Sequence, residues 1–262
     1  MNKKIIFFDI DGTLIGEESH VMLESTKKAI RKARENGHIC IINTGRTKKL
    51  VGKDITDLVD FDGYIYGCGT MVTYHDEELM HQTFTKEMAR RIIDALHKYR
   101  IDAILEGKEN DYHDELDKIY TDSFREFVKL FRNKEYGSFE EAVGHFDKFY
   151  AYVDDVAKMQ AFQREFEGEL DFVDREYGYF EIMPIGYSKA SGIDYLAQSL
   201  NIPIENTVAI GDSPNDLSML EHAKTAIVMG NAPDKMKEIA DYVTTHVDED
   251  GIWNALKWLQ VI

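Results

Sequence analysis

The chain has 262 residues, 44% hydrophobic and 30% charged, with a formal net charge of −17. That length accommodates one large domain or two modest ones, and the composition is that of a soluble globular protein rather than a disordered one. The acidic residues are spread along the chain rather than gathered in a tail, so the field favours solubility and repels a nucleic-acid backbone.

The N-terminal MNKKIIFF lacks the long apolar run and small-residue cleavage site of a signal peptide. No segment approaches the ~20 apolar residues of a membrane span. Cys40 and Cys68 form no CxxC pair, and the nine histidines show no zinc-ligand spacing. The expectation is a protein of a reducing cytoplasm, with no membrane, no nucleic acid and no obligate protein partner.

In chain order, Ile5 to Ile10 is an apolar run suited to a strand buried on both faces. Ser25 to Asn36 predicts a helix with Ala29, Ile30 and Ala33 on one face, ended by Gly37. Ile39 to Asn43 is a second buried strand. Thr47 to Val59 predicts a helix with Leu50, Val51, Leu58 and Val59 inward, and Gly63 to Tyr66 a third strand. That rhythm is a parallel α/β sheet. It resumes near the far end: a helix over Ser188 to Leu200, a strand over Thr207 to Gly211, and a helix opened by Ser213-Pro214. A strand at Thr225 to Met229, a helix at Pro233 to Ala240, a short strand at Tyr242 to Thr244 and a closing helix at Ile252 to Leu259 follow. Trp253, Leu256 and Leu259 are the docking residues of that last helix.

The middle has another texture. It holds most of the Phe and Tyr residues, with helices expected at Lys86 to Tyr99, Asp122 to Phe131 and Asp155 to Phe166. Its candidate strands, Lys148 to Val153 and Tyr179 to Met183, alternate in a way that suits a sheet with one face open or helix-covered. The expected organisation is an α/β core of residues 1–82 and 185–262 with an α+β module, 83–184, inserted in it.

Four stretches carry candidate chemistry. In IIFFDIDGT an apolar strand ends in Asp9 and Asp11, and Gly12 permits a sharp turn. Beyond the carboxyl ends of parallel strands is where such folds bind ligands. Two carboxylates there need a cation between them or a shared proton. Mg²⁺ favours such hard oxygen donors, and a second carboxyl can do acid/base work. The bland alternative is a solvated Asx-type turn. AIGDSPND repeats the pattern: Asp212 ends a strand, and Asn215 and Asp216 enter the first helical turn, where helix capping alone would also explain Ser213 and Asp216. In NTGRT the Thr44 hydroxyl and Gly45 N–H could donate to a phosphate at a helix N-terminus, or simply form a strand-to-helix turn. Lys189 opens a helix, where the dipole disfavours a cation, so it either meets an anion or faces solvent.

Taken together and in this order, Asp9-Ile10-Asp11-Gly12-Thr13, Thr44-Gly45-Arg46, Lys189 and Gly211-Asp212-Ser213-Pro214-Asn215-Asp216 resemble the four motifs of the haloacid dehalogenase-like phosphatase superfamily. The long insert between the second and third motifs is similar to the α+β cap of its Cof-like branch. The resemblance implies a Rossmann-like core and a Mg²⁺-dependent phosphatase acting on a small phosphorylated metabolite, such as a sugar phosphate or nucleotide-related compound. It implies Asp9 as nucleophile and Asp11 as acid and base. Mg²⁺ would be held by Asp9, Asp212 and Asp11, the last through its backbone carbonyl. Thr44, Gly45, Lys189 and Asn215 would surround the phosphoryl group, with Asn215 and Asp216 orienting the lysine and the metal shell.

The sequence departs from the family at Tyr66-Gly67-Cys68-Gly69-Thr70, where an Asn-Gly-Ala-like turn is expected. That bears on substrate contacts, and Cys68 is either a thiol near the site or a small buried residue. Glu106, Asn110, Tyr112 and Tyr179 are candidate cap residues facing the substrate. Two other functions compete: a phosphotransferase or mutase using the same aspartyl phosphate, and a metabolite-binding protein without turnover.

Overall fold

The computed structural model describes residues 3–130 and 136–262. The chain begins with β1 (Ile5–Phe8), α1 (Glu24–Glu35), β2 (Ile39–Asn43), α2 (Lys53–Thr56), β3 (Gly63–Tyr66), β4 (Met71–Tyr74) and β5 (Glu77–His81). It continues through α3 (Lys86–Tyr99), β6 (Asp102–Glu106), β7 (Asp111–His113), α4 (Asp122–Leu130), β8 (Tyr136–Gly137), α5 (Phe139–Ala142), β9 (Lys148–Tyr152), α6 (Val156–Glu165), β10 (Leu170–Asp174) and β11 (Tyr179–Pro184). It ends with α7 (Lys189–Ser199), β12 (Thr207–Gly211), α8 (Leu217–His222), β13 (Thr225–Val228), α9 (Asp234–Lys237), β14 (Tyr242–Val243) and α10 (Gly251–Trp258).

Two compact units result. The first comprises Met1–Arg46, Val51–His81 and Ser188–Ile262; the second comprises Gln82–Tyr187 with Thr47–Leu50.

The first unit is an eight-stranded sheet in the order β14-β13-β12-β1-β2-β3-β4-β5. Neighbours from β14 through β3 pair in parallel, while β4 and β5 add an antiparallel hairpin at one edge. Both faces are covered, which is why the central strands read as unbroken apolar runs. Ile6, Phe8, Ile42, Val208 and Ile210 pack with α1 and α10 on one face. Ile5, Phe7, Ile41, Ala209 and Val228 pack with α7 and α8 on the other. β1 is central, so the residue after it emerges at the middle of the sheet's carboxyl edge.

The second unit is a six-stranded sheet, β10-β11-β9-β6-β7-β8, antiparallel except for the β7–β8 pair. Its strands alternate as expected: Ala103, Leu105, Phe149, Ala151, Phe180 and Ile182 meet α3 and α6. Ile104 points to the other face and packs with Phe124 and Val128 of α4.

Several expectations are corrected. The helix over Thr47 to Val59 is instead a 3-10 turn, Lys48–Leu50, and the single turn α2. Gly52 between them is extended, and glycine in a helix interior is costly. Leu50 is accordingly only half-buried, whereas Val51 and Val59 are core. The helix opened by Ser213-Pro214 starts as a 3-10 turn, Pro214–Asp216, before α8. The helix at Pro233 to Ala240 shrinks to α9. The expected end at Phe131 lies outside the described residues.

Candidate active site

The carboxyl ends of β1, β2 and β12 and the first turn of α7 converge in the first unit. Asp9 follows β1, and its N–H donates to Ile210 O at 3.0 Å, extending the ladder by one residue and fixing its backbone. Its side chain is buried. Lys189, the first residue of α7, is 1% exposed, and its Nζ donates to Asp9 Oδ1 and to Asp216 Oδ1, both at 2.6 Å. The lysine at a helix start therefore does meet anions, two of them. Ser188 and Ser191 cap the same helix reciprocally, satisfying donors that Lys189 cannot help with.

Asp216 orders the neighbouring loop. Its Oδ2 accepts the N–H groups of Asp212 (2.9 Å) and Ser213 (3.0 Å). A Cβ on Gly211 would lie 2.6 Å from Asp216 Cγ, so only glycine lets the strand end pass this close. Asp212 in turn accepts from the Thr13 hydroxyl at 2.8 Å. Gly12 sits at φ +78, and a Cβ there would fall 2.2 Å from Asp212 Oδ2. Asn231 holds the Gly12 turn by donating to its carbonyl at 2.8 Å while accepting from Val247 N–H.

Asp9, Asp212 and Asp216 offer one oxygen each, all within 4.8 Å of one another, and all three residues are buried. One ammonium faces three carboxylates. Burial and the Asp216 charge push the Asp9 carboxyl upward against the pull of Lys189. Burial, then Asp216 and Asp9, push Asp212 up to about 8. The two carboxylates raise Lys189 against the effect of its burial, so it stays charged. A buried, hard-oxygen cluster with excess negative charge is the donor set a divalent cation such as Mg²⁺ takes. A cavity of about 370 Å³ beside Asp212, lined by Glu17, Glu18, Ser213, Asn231 and Asp248 among others, adds further acidic groups.

Asp11 stands apart from this cluster. Its side chain is half-exposed and is gripped by the Arg46 guanidinium, Nε to Oδ2 at 2.9 Å and Nη2 to Oδ1. Its side chain is thus not among the clustered metal-ligating groups. Thr44 is buried at the end of β2, and its hydroxyl accepts the Arg46 N–H at 3.1 Å. Gly45 lies half-buried in that turn. Asn215 accepts from the Ser213 hydroxyl and shows no bond to Lys189, so only Asp216 of the pair contacts the lysine.

The Tyr66-to-Thr70 segment is a tight 3-10 turn with Cys68 at φ 53. It braces the Thr44 loop: Gly67 N–H donates to Arg46 O and Cys68 N–H to Thr44 O. Cys68 is buried. In the second unit, Glu106 pairs with Lys148 at 3.0 Å and Tyr179 stacks on Tyr150, while Tyr112 is packed in the helix-covered core. Asn110 closes a turn through its carbonyl with Gly107 N–H.

Thr13, Arg46 and Asn231 are the contacts sequence reading left without a role. The first two lay inside the quoted motifs, where the spacing alone gives no partner; Asn231 reaches Gly12 across 219 positions and had no local signal.

Residues 6–256 match the haloacid dehalogenase-like hydrolase family. The chain belongs to that family. It is 30% identical to YkrA of Bacillus subtilis (strain 168) over 262 residues, the whole of both chains. It is 26% identical to the 5-amino-6-(5-phospho-D-ribitylamino)uracil phosphatase YcsE of the same organism over 255 residues, 97% of this chain and 94% of that one. Among solved structures it is similar to a sugar phosphatase of HAD subclass IIB, with a TM-score of 0.82, 26% identity, and coverage of 99% of this chain and 100% of that one. The doubly covered parallel sheet with the acidic cluster at its carboxyl edge is thus a HAD core, and the chain is an enzyme of the HAD/Cof phosphatase type. Among the described residues, no helix is long and apolar enough to cross a membrane.

Proposed function

We propose that this protein hydrolyses a small phosphomonoester, such as a sugar phosphate or a nucleotide-related metabolite, with Mg²⁺ and through an aspartyl phosphate on Asp9. The observation that carries the reading is the pairing of Asp9 with Lys189 at 2.6 Å inside a buried set of three carboxylates, with Asp11 free of that set. A carboxylate at the strand end is a nucleophile, and the ammonium beside it is a ready partner for phosphoryl oxygens.

In the first half-reaction an Asp9 oxygen attacks phosphorus, the ester P–O bond breaks, and Asp11 hands its proton to the departing alkoxide. In the second, Asp11 takes a proton from water as that water's oxygen attacks phosphorus, releasing inorganic phosphate and restoring both carboxyls. Asp11 must leave the Arg46 fork to carry a proton, since both of its oxygens are engaged there. Lys189 and the Thr44 hydroxyl neutralise and orient the phosphoryl oxygens. Asp9 and Asp212 would hold Mg²⁺, with Asp11 contributing through its backbone carbonyl. When bound, that ion offsets the negative charge of phosphate and carboxylates. Asp216, already bonded through both oxygens, orients rather than coordinates. The inserted unit, residues 83–184, is read as the substrate-specificity domain, and the two buried cysteines, not joined in a disulfide, suit a reducing cytoplasm.

The test is phosphate release from a panel of phosphomonoesters with Mg²⁺, with chelator, and with Asp9→Asn. Release should require the metal and disappear in the variant while its thermal transition persists. Turnover retained by folded Asp9→Asn would exclude Asp9 as nucleophile.

A further inference from the structure

Asn43 is the last residue of β2 and is wholly buried. Its Nδ2 donates to the backbone carbonyl of Lys189 at 2.9 Å. Its Oδ1 is buried and, among the described residues, has no hydrogen-bond partner. An unsatisfied buried acceptor is costly, and a leucine of similar shape would fill the same space without that cost. Stability alone therefore does not explain an amide at this position.

The contact it makes is to the backbone of the lysine that lies against Asp9. Two further close approaches hold the same helix end. A Cβ on Gly69, at φ +90, would meet Ser188 O at 2.3 Å, and one on Gly192 would meet Ile65 Cγ2 at 2.5 Å. The first turn of α7 is thus pressed onto β3 and its following turn by two glycines and tied to β2 by one amide. Lys189 is held at both ends, its ammonium by two carboxylates and its carbonyl by Asn43.

We propose that Asn43 is a positioning residue for Lys189: by bonding the lysine's carbonyl it sets where the ammonium stands relative to the phosphoryl group. This rests on the phosphatase reading above. Without the tether, the first turn of α7 can slide along the sheet, and the ammonium shifts with it while still bonded to its carboxylates. Ground-state binding tolerates such a shift, whereas charge stabilisation in the transition state depends steeply on it.

The experiment compares wild type, Asn43→Leu, Asn43→Ala and Asp9→Asn with p-nitrophenyl phosphate and Mg²⁺, alongside thermal melts and inhibition by orthovanadate, which mimics the five-coordinate phosphorus. Asn43→Leu should melt at or above the wild-type temperature. Its kcat should fall about tenfold with KM within about twofold, and orthovanadate inhibition should weaken by a similar factor. Should the leucine variant fail to fold, Asn43→Ala carries the same kinetic readout. A lower melting temperature with kcat and vanadate affinity unchanged makes Asn43 a packing residue only and overturns the proposal. Wild type that is active, with Asp9→Asn dead and both Asn43 variants within twofold, overturns this inference alone. Wild type as inert as Asp9→Asn overturns the phosphatase reading and this inference with it.

Discussion

Among the described residues two lysines are almost wholly buried, and their surroundings differ in one respect that separates structure from chemistry. Lys148 lies on β9 in the second unit between Glu106, at 3.0 Å, and Glu181. Its ammonium ties three strands through one charge. Removing it would take the cation from between the two glutamates and leave Arg175, 3.8 Å from Glu181 Oε2, as a more distant partner, and breaking a buried pair in this way costs about 3–5 kcal/mol. Lys148→Met should therefore lower the unfolding free energy by about that amount in urea titrations; a change below about 1 kcal/mol would mean that water reaches the glutamates. Lys189 also sits between two carboxylates, but a third, Asp212, stands within reach of both. That extra negative charge gives this cluster, and not the one around Lys148, room for a cation. Gly12 is the residue that makes the arrangement possible. At φ +78, with a Cβ position 2.2 Å from Asp212 Oδ2, alanine would strain the backbone and displace a carboxylate together. Gly12→Ala should cost more than about 1 kcal/mol of stability and weaken Mg²⁺ binding, both readable from melts with and without the ion.

At the scale of elements, what the sequence made legible depended on whether the signal was local. β1, β2 and β12 are apolar on both faces, and such runs name buried parallel strands directly. α3 appeared with its expected bounds because a Thr85 cap opens it and its apolar residues repeat at helical spacing. The edge hairpin of β4 and β5 escaped notice: β5, Glu-Glu-Leu-Met-His, is half-exposed and takes its strand character from pairing with β4 rather than from its own pattern. The segment after Arg46 failed for the opposite reason. Its apolar residues fit a helix, and Gly52 in the middle broke it. In the site, Asp9, Asp212, Asp216 and Lys189 were readable because each directly follows a strand or opens a helix, and Asp11 because it lies two residues on in the turn after β1. Thr13 to Asp212, Asn231 to Gly12 and Asn43 to Lys189 were not, because each bond joins positions more than a hundred residues apart. The turn at Gly67 to Gly69 belongs with them. Gly69→Ala would drive a methyl onto Ser188 O at a φ of +90, so both stability and turnover should fall, with kcat affected through the displaced α7. A variant that loses stability but keeps kcat would show that the turn supports the fold without setting the lysine.

For the whole molecule, the acidic cluster makes stability depend on pH in a direction opposite to that of ordinary acid denaturation. Asp212 is raised to about 8 in the native protein, mainly by burial. Between the ordinary carboxylate range and that value the native state holds a proton that the unfolded chain has released. Its stabilising contribution is complete at low pH and is lost as pH rises through about 8. His38 works the other way: burial lowers its imidazole below the usual 6.5, so its effect is confined to the acidic side of neutrality. The informative window is therefore from neutrality to just above pH 8. Metal-free protein should melt at progressively lower temperature as pH rises from 7 towards 8, and the slope should level off above that value. Mg²⁺ needs the carboxylates ionised, so the temperature it restores should be small at pH 7 and larger at pH 9. Asp212→Asn keeps the shape and an oxygen for the Thr13 hydroxyl but cannot ionise; it should flatten the metal-free slope and abolish the Mg²⁺ effect together. A metal-free slope that survives in Asp212→Asn would place the titrating charge on Asp9, whose carboxyl is also raised by burial, or among the surface carboxylates of a chain whose formal charge is −17. Added salt separates the two, because it screens the surface carboxylates far more than the buried cluster.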